Sequence, residues 1–177
     1  MAKQNPSREK SEIEQAGEDL FNYAIDREDI KYLVALLPGE STVNRSKVDY
    51  ELQLLKIVTV GWTISYHLME HPLKDVLSEL FWQSIQTFSR TLSETTGLMI
   101  GKDIDYFDTL KTCLNNYLDV LARQPETSQP ARIIGTEFAR RCGDANDLFT
   151  FMTGSKLFLS ASTRVKQYLE GALARRQ

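Results

Sequence analysis

With 177 residues the chain is long enough for one domain with a buried core, and its apolar and charged fractions, 42% and 25%, are those of an ordinary globular protein. A net charge of −3 argues against a general polyanion binder, but the charge is uneven: residues 1–51 carry −4, residues 52–122 carry −3 and residues 123–177 carry +4. Cys113 and Cys142 stand far apart with no CxxC pattern, which excludes a disulfide framework and reads as two reduced core thiols of an intracellular protein.

Residues 1–8 read as a frayed end, without the apolar region of a secretory signal and too acidic for a transit peptide, so the expected location is the cytoplasm. Ile13, Ala16, Leu20, Phe21 and Ala24 then form one amphipathic face, which lapses at Arg27–Glu28. Asp26, with Asp29 three residues on, resembles a fresh N-cap for a short second helix carrying Ile30, Leu33, Val34 and Leu37. Pro38-Gly39 stops it, and a loop follows that ends in a Ser46 cap.

Residues 49–71 are the longest apolar-rich run, and two periods compete in it. Val58, Val60, Trp62, Ile64, Tyr66 and Leu68 alternate as a strand would, whereas Leu52, Leu55, Val58, Trp62, Ser65 and Met69 follow helical steps. The interleaved polar residues are mostly small and can return hydroxyls to their own helix carbonyls, and the chain offers no partner strand. The reading is a buried central helix near 47–71, with Gly61 marking a close helix crossing. Gln53, Lys56 and His67 interrupt the run, so it is not a membrane helix.

Pro72 suits the start of the next helix, whose apolar face is Leu73, Val76, Leu77, Leu80, Phe81, Ile85, Phe88 and Leu92. Gly97 and Gly101 bracket a turn, and Asp103 caps a helix that directs Phe107, Leu110, Leu114, Tyr117, Leu118 and Leu121 inward. Residues 124–130 are the clearest linker and mark a sub-boundary within one domain spanning 9–177. Pro130 to Cys142 makes a short helix ended by Gly143, and Asp144 or Asn146 starts a last helical region with a break near Gly154. The fold class is therefore all-α, a bundle of about five to seven helices.

The sharpest local pattern is His67-x-x-Glu70-His71. On a helix, His67 and His71 share a face and Glu70 sits where it would activate a metal-bound water, with Asp75 or Glu79 to complete the ligand set. This resembles the inverted zinc-protease motif, but Pro72 follows at once and the chain has no third histidine. The acids of Asp103–Asp108 lack the glycine and distal glutamate of a calcium loop and answer a helix dipole instead. Ser7-x-x-Lys10 has no companion motif, there is no G-x-S-x-G, and Gly154-Ser155-Lys156 lacks the upstream glycine of a phosphate loop. No catalytic constellation and no cofactor are expected.

In the last helix Leu157, Phe158, Ala161, Val165 and Tyr168 or Leu169 face one way, while Lys156, Ser160, Arg164, Gln167 and Arg175 fall within about a third of the opposite circumference at ~100° per residue. Arg123, Arg132, Arg140, Arg141 and Lys166 extend this basic segment, either as a solvated face or as a footprint for an anion. By size, helical reading and this Arg123–Arg176 segment, the chain resembles in kind the small helical subunits of CRISPR RNA-guided effector complexes. That resemblance implies a non-catalytic subunit among other protein subunits. It would touch single-stranded nucleic acid or an RNA–DNA duplex through backbone contacts from Arg132, Arg140, Arg141, Lys156, Arg164, Lys166 and Arg175. The alternatives are a metal- or small-ligand-binding bundle using His67, Glu70 and His71, and a homo-oligomeric scaffold with Trp82 in its interface.

Overall fold

The structure, a computed structural model, describes residues 11–39, 43–102, 104–124 and 129–174. Within them lie seven α-helices and no strand: α1 (Glu12–Ile25), α2 (Glu28–Ala35), α3 (Arg45–His67), α4 (Lys74–Ile100), α5 (Tyr106–Ala122), α6 (Pro130–Cys142) and α7 (Leu148–Ala174). The expectations for Asp103, residues 1–8 and most of the 124–130 linker fall outside the described residues.

The helical period wins in the central run. Every residue from Glu51 to Gly61 is buried, and α3 packs against all six other helices, so its whole circumference is lined by neighbours. A strand could not be covered that way by helices alone. Leu52, Leu54, Leu55 and Ile57 are each wholly buried, and at roughly 1.5–3 kcal/mol per large aliphatic side chain this one helix supplies much of the apolar stabilisation. Thr63 donates its hydroxyl to the Thr59 carbonyl at 2.7 Å, and Ser65 meets Ser78 of α4 at 3.4 Å. The helix ends at His67 rather than at residue 71, because the chain turns through residues 68–70 toward Pro72.

Gly61 is a close crossing, as its position in the run implies. A Cβ there would lie 2.3 Å from the Trp82 ring of α4. Trp82 is accordingly half-buried against α3 and is not an exposed interface aromatic. Two more glycines draw α6 onto α7: a Cβ on Gly135 would meet the Phe151 carbonyl oxygen at 2.7 Å, and one on Gly154 would meet the Phe138 ring at 2.6 Å. Gly154 therefore does not break the last helix; α7 runs unbroken through it because Phe138 fills the space that a side chain would occupy.

Several ends differ from the sequence reading by a residue or two. Asn44, not Ser46, caps α3 by accepting from the Ser46 and Lys47 amides at 3.0 and 3.2 Å. Asp26 closes α1, and Arg27 occupies the N-cap position of α2 without a side-chain capping bond. Asp105 caps α5 through the Asp108 amide at 2.9 Å, Asp147 takes the Thr150 amide at 3.0 Å at the head of α7, and α4 begins at Lys74, two residues after Pro72. Val76 points outward from α4 and is exposed, whereas Leu77, Phe81 and Ile85 are buried. Gly143 ends α6 in the left-handed region, with φ 115°, as a glycine allows. No helix among the described residues is long and apolar enough to cross a membrane.

Candidate functional site

The basic segment does not survive as one surface. Arg141 turns inward: its Nε donates to Glu51 Oε2 at 2.7 Å, and its guanidinium lies 5.9 Å from the Tyr117 ring. Arg140 is exposed but forks onto the buried carboxylate of Glu137, with Nε to Oε2 at 2.8 Å. Lys166 sits 3.9 Å from Glu170 one turn on. Arg164 lies over the Tyr23 ring at 5.3 Å, beside Asp19 and Asp26. Arg123, Arg132 and Lys156 are exposed and without an ion pair among the described residues, and Arg175 lies outside them.

His67 and His71 do not share a helix face. His67 is the last residue of α3, with Nε2 3.8 Å from Glu170, whereas His71 lies beyond the turn and its Nδ1 accepts from the Leu73 amide at 3.1 Å. Glu70 is exposed in that turn. Among the described residues no three His, Cys, Asp or Glu side chains are placed to share a metal ion. Burial raises both thiols from the ordinary value near 9 to about 12, so Cys113 and Cys142 remain protonated and poor nucleophiles near neutral pH.

Sequence reasoning overlooked two features. The first is Lys56, whose side chain is 0% exposed inside α3. Its ammonium donates to the Asp26 carbonyl at 2.7 Å and to Asp29 Oδ1 at 2.8 Å, and lies 4.4 Å from the Tyr23 ring. It is the one cation between Lys47 and Lys74, in a run whose neighbours are all buried, so it had to find an acceptor; the acids at the α1–α2 corner were the available signal.

The second is an apolar stripe on the solvent side of α7. Leu148, Met152 and Leu159 are 61%, 42% and 53% exposed, and at ~100° per residue they fall within roughly 40° of one another. Phe149, 51% exposed, and Lys156 flank the stripe. On α6, the Ala131 carbonyl accepts from the Ser155 hydroxyl at 3.0 Å, and the next residue, Arg132, is exposed. The signal was the 148–152–159 spacing, a second apolar line in addition to the buried one.

Compared with known protein families, curated proteins and solved structures, the chain matches none of them.

Proposed function

We propose that the chain is a non-catalytic helical subunit that docks onto a larger assembly through the exposed ridge of α7 and the flanking surface of α6. The observation that carries this reading is the line of Leu148, Met152 and Leu159 facing solvent on a helix whose other side is fully engaged with α3 and α6. Large apolar side chains aligned at helical spacing on a rigid element are what helix-in-groove and helix-on-face interfaces use. Lys156 beside that line, and Arg132 exposed on α6 next to the residue that meets Ser155, suit a partner with acidic residues around an apolar contact.

A nucleic-acid footprint, the reading that goes with the resemblance to small subunits of RNA-guided complexes, depends on cations free to meet phosphate. Arg123, Arg132 and Lys156 are such cations, yet Lys156 shares its face of α7 with the exposed Met152 and Leu159, which favours a protein surface. The test is purification of the wild type and the Met152→Glu/Leu159→Glu variant from the native cell, with and without nuclease. Both positions are exposed, so the variant is expected to fold. A nuclease-resistant protein partner lost from the variant supports the reading; a partner retained by the variant, or one released by nuclease, overturns it.

A further inference from the structure

A cleft of about 330 Å³ opens at the far end of the bundle, where the start of α1 and the end of α7 lean over the α3–α4 corner. Its existence has a local cause. Gly17 lets α1 approach α4 closely, with a Cβ there only 3.0 Å from the Leu80 Cβ, while the alanines Ala16 and Ala172 are too small to fill the seam between α1 and α7. The floor is apolar: Leu68 just past the end of α3, Leu77 from α4 and Leu169 from α7. The volume falls at the lower end of the range of roughly 300–1,000 Å³ found for small-molecule sites.

Among the described residues, the charged groups on its wall are the carboxylates of Glu12 and Asp19. Asp19 is half-buried and held by neutral donors: Gln15 Nε2 reaches Oδ1 at 2.8 Å and the Tyr168 hydroxyl reaches Oδ2 at 2.7 Å. Among the described residues no lysine, arginine or histidine lies within salt-bridge distance of it. Asp19 and Tyr168 also form the wall shared with a second hollow of about 340 Å³ farther along the α1–α7 seam, which Asp26 and Arg164 line. Among the described residues, Asp19 and Asp26 face that second hollow together with one guanidinium, Arg164, which lies over the Tyr23 ring at 5.3 Å. A fixed carboxylate oriented by two hydrogen bonds, with no cation paired to it among the described residues and an apolar floor below it, is complementary to an ammonium group carried on a hydrocarbon body.

We propose that the α1–α7 seam is a binding site for a small amphipathic amine, its protonated amino group on Asp19 and its apolar body over Leu68, Leu77 and Leu169. A carboxylate on a similar hydrocarbon body would bring its charge against Asp19 and is excluded. An alcohol on such a body keeps the apolar contact but forgoes the ion pair. The site lies on the opposite end of α7 from the Leu148–Leu159 ridge and does not depend on that ridge having a partner.

The experiment titrates the full chain with n-octylamine, n-octanol and n-octanoate at neutral pH, below their aggregation concentrations, by calorimetry and ligand-observed NMR. Octylamine is expected to bind saturably, octanol about ten-fold more weakly and octanoate not at all. Asp19→Asn retains hydrogen-bonding capacity toward Gln15 and Tyr168 and is expected to lower octylamine affinity to that of octanol. Ala172→Phe fills the apolar part and is expected to abolish binding of both. If Asp19→Asn fails to fold, the three-ligand series on the wild type still decides the charge requirement. Equal affinity for all three ligands, octylamine binding unchanged in Asp19→Asn, or no saturable octylamine binding would each overturn the proposal.

Discussion

The α6–α7 contact rests on Gly135, and replacing it with alanine tests the packing directly. The new Cβ would lie 2.0 Å from the Ser155 hydroxyl and 2.7 Å from the Phe151 carbonyl oxygen. The hydroxyl can rotate away, at the cost of its 3.0 Å bond to the Ala131 carbonyl, about 1 kcal/mol. The carbonyl belongs to the α7 backbone and cannot move alone, so the helices must separate by several tenths of an ångström, and overpacking of this kind costs about 1–3 kcal/mol. Alanine's better helix propensity returns about 1 kcal/mol. The net expectation for Gly135→Ala is a loss of about 1–3 kcal/mol in urea unfolding, with the m-value unchanged. Gly171→Ala is the matched control: no described residue lies within 4 Å of the added methyl, so a small gain of about 0.5–1 kcal/mol is expected. If Gly135→Ala were as stable as the wild type, the close approach of α6 to α7 would be wrong.

Lys56 and Asp29 form a pair whose two ends differ in exposure, 0% and 28%, so removing only the ammonium leaves a carboxylate that water partly reaches. Lys56→Met is expected to cost about 3 kcal/mol, the low end for breaking a buried pair, and adding Asp29→Asn to recover at least about 1 kcal/mol; additive losses in the double-mutant cycle would show that the two side chains do not interact. Burial raises the thiols of Cys113 and Cys142 from about 9 to about 12, so the native state holds their protons more tightly than the unfolded chain does. The stability they contribute is complete below pH 9 and is lost as pH climbs from there toward 12, which urea midpoints measured from pH 8 upward will show as a decline; a flat profile would place the thiols in water. Asn44→Ala should lower stability by about 1 kcal/mol and Ser46→Ala by only a few tenths, measured by thermal unfolding; the reverse order would return the α3 cap to Ser46.

The sequence alone determined the all-α class, the buried central helix, the Pro130-to-Gly143 span of α6 and the close crossing at Gly61, because each depends on local chemistry: period, capping and the missing side chain of glycine. It determined equally that the C-terminal third carries the positive excess. Tertiary structure decided what that excess is available for. A guanidinium's neighbours depend on which helices come together, and Arg141 was drawn to Glu51, ninety residues away, when α6 settled against α3. Long-range pairing of the same kind put Lys56 inside, laid Arg164 over Tyr23, and set Asp19 against Tyr168 at the mouth of a cleft whose walls come from three helices and the α3–α4 turn. Helical periodicity reports which face of an element is apolar, but charges and cavities are settled between elements, where the deciding distances exist only after the bundle has closed.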